Sequence, residues 1–321
     1  MPGAYTHITI ARLLTSGNAL KKLELPSEAR KALMEYTEFC HMGAISPDYP
    51  YLRLVGRGKK ASEIWANAMH HKYGTLTENN IFHVGIDYLK HLIGNEQSKC
   101  LAWFLGYASH VIADVTCHPM TNLLVGDYEA GNQTAHRISE MHQDVYIFET
   151  RIKGDVSKSE HIKHVVGSCR DLNDKKKIDM DLEKMWKHIL SKTFPIIYEK
   201  QTLNIHSWHR SVQLFLDNFG EELSIIPSRH IRGFFDDKGV AYPRFDEIDR
   251  RKYVNNLQTP NGIKTYDQVF DHAKANVAKV WKLIAEGIYR ENDNYKEKIK
   301  IWNLDTGQEV IAPIVMWENI L

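Results

Sequence analysis

A carboxylate and an imidazole four residues apart on a helix lie on one face, so HxxxD and HxxxE can present two ligands to one metal ion. This chain carries three such pairs: His83/Asp87, His110/Asp114 and His136/Glu140. Two of them extend to HxxxDxxxH, as His83, Asp87, His91 and as His110, Asp114, His118. Spacing does not choose between the two, but their surroundings do. Around the first set, Ile81, Phe82, Gly85, Ile86, Leu89, Leu92 and Ile93 oppose His83, Asp87, Lys90 and His91, the pattern of an amphipathic helix showing its wet face. Around the second, Asp114 is the only acidic or basic side chain from Cys100 to Cys117 apart from His110. A helix apolar nearly all round is expected to be buried. An ionised Asp114 inside it is costly unless it is hydrogen-bonded in the core, paired, or bound to a metal.

His136, Glu140 and Asp144 form another stripe at the same spacing, with His142 nearby. If the two helices face each other, His118, His136 and Glu140 can enclose one zinc while Asp114 serves others. His7 opening the first helix, Asp48 in the Pro47-Asp48-Tyr49-Pro50 turn, and Met69-His70-His71 at a helix end can add ligands. Oxygen and imidazole donors without thiolate fit zinc in a hydrolytic site, with manganese and iron left open by ligand type. Asp144 is expected to accept a hydrogen bond from a ligating imidazole.

The elements that position these groups read as all-α. Periodicity predicts helices near 6–14, 27–39, 61–72, 78–93, 99–117 and 134–152, then near 159–169, 182–198, 207–223 and 266–290. Prolines and glycines make 225–263 a long irregular excursion. Lys298-Ile299-Lys300-Ile301-Trp302 before Asp305-Thr306-Gly307 suggests a short C-terminal β-hairpin with Gly307 in its turn, an appendage to the helices. One domain over 1–321 is expected. The 321 residues are 43% hydrophobic and 25% charged, which suits a globular core and excludes collagen, coiled coil and wholesale disorder. With 41 basic and 40 acidic residues the chain has no strong field, which disfavours non-specific nucleic-acid binding. Cys40, Cys100, Cys117 and Cys169 lie far apart without a CxxC pair and read as reduced, packed thiols. No transmembrane segment or secretory signal is read from the sequence, and the cytoplasm is the expected compartment.

In order, His7, Pro47-Asp48, Met69-His70, His110xxxAsp114xxxHis118 and His136xxxGlu140xxxAsp144 resemble the zinc-dependent phospholipase C family, and most closely its phospholipase C/D branch. The resemblance covers roughly 2–148. It implies a multi-helix bundle around a metal cluster of two or three zinc ions. One zinc would take Asp48, His70, His110 and a bridging Asp114; a second would take His118, His136 and Glu140. The third would take His7, Asp114 and the amino-terminal residue, which requires removal of Met1 to expose Pro2. His70 is favoured over the adjacent His71. Asp48 would also orient or deprotonate the attacking water. The implied substrate is a phospholipid or another phosphodiester. Related single-strand nucleases share the cluster, but their central histidine lies further beyond the aspartate than His118 does, so nucleic acid ranks second. A non-catalytic protein with structural metal is the alternative of a different class.

The twin motifs can be separated directly. Asp114→Asn should abolish phosphodiesterase activity and lower the zinc content found by elemental analysis, whereas Asp87→Asn should leave both close to the unaltered chain.

Overall fold

The computed structural model describes residues 2–53, 58–71, 79–219, 242–290, 292–312 and 315–318. Among them the chain is overwhelmingly helical, with two small antiparallel hairpins near the C-terminus. The organising element is the helix Gly94–Val125, buried from Cys100 through Thr121. By length and apolar character it could cross a bilayer, a feature not seen from the sequence, yet its apolar window is wholly buried inside the protein. The helices Ser27–Glu35, Thr37–Gly43 and Tyr266–Tyr289 pack around it, with Ala4–Thr15, Gln133–Ile147 and Met180–Thr193 completing the cover. The core therefore runs from Tyr5 to Trp317.

Several boundaries differ from expectation. The central helix begins at Gly94 and continues to Val125, straight through Pro119, where the sequence rule ends it at Cys117. Pro119 lacks the N–H that the Val115 carbonyl would accept, and in the same turn Trp317 Nε1 donates to the Thr116 carbonyl at 2.8 Å. The expected helix 27–39 breaks at Tyr36, whose φ of −126° leaves helical geometry, so that Thr37–Gly43 turns onto the central helix. There a Cβ on Gly106 would collide with the Cys40 carbonyl and one on Gly43 with the Trp103 carbonyl, so the two backbones cross in direct contact. The helix expected over 134–152 ends as an α-helix at Ile147 and widens into a π turn, Phe148–Ile152. The helix expected over 182–198 is two, Met180–Thr193 and Pro195–Lys200, divided where Pro195 starts a new first turn.

The excursion expected over 225–263 is partly structured. Residues 220–241 lie outside the described residues, as do 72–78 and Met1. Beyond them, Leu257–Thr259 pairs with Gly262–Lys264, and Gly262 takes φ 85° in the turn. The C-terminal hairpin forms as expected but short: Trp302 faces Glu309 and Asn303 faces Gln308, with Gly307 at φ 71°. It is not an appendage, because a Cβ on Gly307 would meet Pro119 and the Val115 carbonyl of the central helix.

Two buried histidines away from the central stripe are held neutral. His41 shares a hydrogen bond of 3.0 Å with the Thr15 hydroxyl, and His209 lies 2.8 Å from the Gln213 amide. Burial, followed by the charge of neighbouring cationic groups, lowers each to about 3. A histidine lowered from 6.5 on folding stabilises the native state above pH 6.5, and that stability is lost as pH falls toward the folded value. Urea unfolding of metal-free protein should show ΔG declining below pH 6.5. His41→Gln should flatten the slope by up to about 1.4 kcal/mol per pH unit.

Candidate metal centre

The central helix delivers His110, Asp114 and His118 on one stripe, all fully buried, while Gln133–Ile147 delivers His136 and Glu140, also buried. His7 comes from the first helix, Ala4–Thr15, and Asp48 from the 3-10 turn Ser46–Leu52. His70 caps the C-terminus of Lys59–Met69. Of the eight residues expected at the site, five converge tightly. His7, His110 and Asp114 offer ligand atoms within 4.8 Å of one another, as do Asp48, His70 and His110. His7 Nε2 lies 3.3 Å and His110 Nε2 3.2 Å from the two Asp114 carboxylate oxygens, and His70 Nε2 lies 3.2 Å from Asp48 Oδ1. The His7 and His110 rings stack at 3.9 Å.

The other three residues lie beside this group and more loosely. The His118 and His136 rings stand 5.8 Å apart, with the Tyr128 ring 5.2 Å from His136. The Tyr51 ring lies 5.3 Å from His70. Sequence reasoning passed over both tyrosines, since neither belongs to a spaced motif. His71 takes φ 50° and its ring meets Phe194, so His70 is the one of the adjacent pair that faces Asp48.

Main-chain carbonyls orient the rings. His70 Nδ1 bonds the Ala66 carbonyl at 2.8 Å, His110 Nδ1 the Ala44 carbonyl at 2.9 Å, and His136 Nε2 the Gly126 carbonyl at 2.7 Å. Each leaves its second nitrogen for another partner, the arrangement that metal-ligating histidines adopt. Those second nitrogens, with Asp48 Oδ1 and both Asp114 oxygens, are buried without a well-formed hydrogen bond. Lone pairs gathered in a largely buried site without good hydrogen-bond geometry are stabilised by a cation, so the donor set fits zinc.

Electrostatics point the same way. Burial alone would raise Asp114, but the His110 and His7 imidazoles hold it well below the usual carboxylate range. Burial would also raise Asp48, and His110 and His70 again outweigh it. His110 is raised in turn, because Asp114 and Asp48 overcome its desolvation. Burial and the neighbouring His110 lower His7, while burial lowers His118 and raises Glu140.

A model of the zinc dependent phospholipase C family matches residues 6–196, more than half of the chain. The chain belongs to this family. The match spans all eight expected ligands and stops before the Tyr266–Tyr289 helix and the C-terminal hairpin. Comparison with curated proteins and with solved structures found no match. The look-alike set is not assembled: Asp87 and His91 are exposed, while His83 is half-buried against Tyr295 at 5.4 Å. His142 stacks on Tyr253 at 4.6 Å, away from the stripe.

Asp144 serves otherwise than expected. It accepts from the Tyr5 and Thr6 main-chain N–H groups at 3.0 and 2.8 Å and from the Tyr242 hydroxyl at 2.9 Å, and no imidazole is among these donors. Free N–H groups at a helix start attract a carboxylate, so Asp144 pins the first turn that carries His7. Asp144→Ala should therefore lower stability by about 1–3 kcal/mol and reduce bound zinc, read by thermal melting and by elemental analysis of the same samples.

Proposed function

We propose that this chain is a zinc-dependent phosphodiesterase of phospholipase C type, cleaving a phospholipid at its headgroup phosphate with two or three zinc ions bound. The observation that carries the reading is the convergence of His7, Asp48, His70, His110 and Asp114 within a segment matched to that family. Asp48, His70, His110 and Asp114 would hold one ion, His118, His136 and Glu140 another, and His7 with Asp114 a third. Bound zinc supplies a Lewis acid that acidifies water and offsets charge on phosphoryl oxygens.

The protein's own groups divide the remaining work. Asp48, 30% exposed where Asp114 is fully buried, is the carboxylate of the cluster open to solvent, and it is held ionised at neutral pH. It is placed to accept a proton from the attacking water. Asp114 is oriented by two imidazoles and stays ionised, which keeps its oxygens available to more than one ion. The carbonyls of Ala44, Ala66 and Gly126 set ring orientation before any ligand arrives, so the donor set is preorganised. Tyr128, pushed up to about 12 by burial and then by Asp305, keeps its phenol protonated at the edge of the cluster. A nuclease or nucleotidase of the same kind is the second reading; the formal charge of +1 gives polyanion capture no support. The segment His230-Ile231-Arg232-Gly233-Phe234-Phe235, whose phenylalanines read from the sequence as able to line a mouth that admits an acyl chain, lies outside the described residues.

Zinc-loaded protein should be assayed on phosphatidylcholine, phosphatidylinositol, a soluble aryl phosphocholine and single-stranded DNA. Release of phosphorylated headgroup from the lipid-type esters is the expected result. Cleavage confined to DNA would reverse the ranking, and full zinc without turnover on any of them would favour a structural role for the metal.

A further inference from the structure

The hairpin Trp302–Asn303/Gln308–Glu309 lies outside the segment matched to the family, yet it touches the candidate centre at several points. The Leu304 N–H donates to the His70 carbonyl at 3.0 Å. The His118 imidazole hydrogen-bonds to the Leu304 main chain. One residue thus braces two histidines that the functional reading assigns to different zinc ions. Asn303 Oδ1 accepts from the Asp305 and Thr306 N–H groups at 2.9 and 3.1 Å, which fixes the turn, and Asn122 on the central helix donates to the Asp305 carbonyl at 3.3 Å. Gly307 seats against Pro119, the residue after His118, and Trp317 Nε1 donates to the Thr116 carbonyl in the same helical turn.

Asp305 itself is fully buried. It follows Leu304 directly and so lies beside the main-chain atoms that hold His70 and His118. A buried carboxylate in a low-dielectric surround strengthens the binding of any cation nearby.

We propose that the C-terminal hairpin is the closing wall of the metal centre, with Leu304 positioning His70 and His118 through its main chain and Asp305 adding negative charge that tightens zinc binding. The inference rests on the zinc reading given above. Zinc affinity, measured by chelator competition on the full chain, separates the two. Failure of the unaltered chain to bind zinc would overturn both. Binding by the unaltered chain with equal affinity in Asp305→Asn would overturn the hairpin inference alone. The expected result is about tenfold weaker binding in Asp305→Asn, with melting of the metal-free protein unchanged or raised, since a buried charge is gone; a merely structural aspartate would instead lower that melting temperature and spare affinity. Gly307→Val, which forces the turn off Pro119, should also weaken zinc binding by about tenfold. Amide hydrogen exchange of the unaltered chain provides a measurement independent of folding in that variant. Zinc should slow exchange across 302–309, and exchange there identical with and without zinc would overturn the proposal.

Discussion

Asp114 puts a negative charge on a helix that is buried throughout its apolar length, and the surrounding fold is arranged around that charge. Removing one partner from a buried ion pair costs about 3–5 kcal/mol, so His7 and His110 must both be present and correctly turned. His110 lies one helical turn away on the same helix, a spacing set by local geometry. His7 lies more than a hundred residues away in sequence and arrives only because the first helix is docked. Asp144 supplies that docking by accepting the first-turn N–H groups of Tyr5 and Thr6. The two aspartates therefore act in series, one pinning the helix that carries the other's partner.

The scaffold gains its accuracy from main-chain contacts as much as from side-chain packing. Direct backbone contact at Gly43 and Gly106 brings the Ala44 carbonyl within reach of His110, and larger residues at either glycine would push that carbonyl away. The same economy operates at Pro119. A proline normally ends a helix, but here Gly307 packs on Pro119 and the Trp317 indole holds the Thr116 carbonyl, and the stripe of His110, Asp114 and His118 lies on one unbroken rod. The segment after the family-matched region is consequently bound into the core.

What the sequence by itself determined was local. The spacing of His110, Asp114, His118 and of His136, Glu140 placed each set on one face, and the absence of other charges from Cys100 to Cys117 marked the first of these helices for burial while the Asp87 stripe stayed wet. The all-α class and the Gly307 turn follow from the same short-range rules, because periodicity and turn chemistry are carried by neighbouring residues. Tertiary structure decided which faces meet. The carbonyls of Ala44, Ala66, Gly126 and Leu304 have no side-chain signature, and their role depends on chain path alone. Asp144 shared the stripe of Glu140, so spacing suggested an imidazole partner, yet the nearest unsatisfied donors were the N–H groups of a helix start from the far end of the chain. Pro119 reads locally as a stop, while the Trp317 indole that holds the Thr116 carbonyl in that turn lies 201 positions from it. The part played by Leu304 and Asp305 was invisible for the same reason: they reach His70 and the central helix only once the hairpin has packed there.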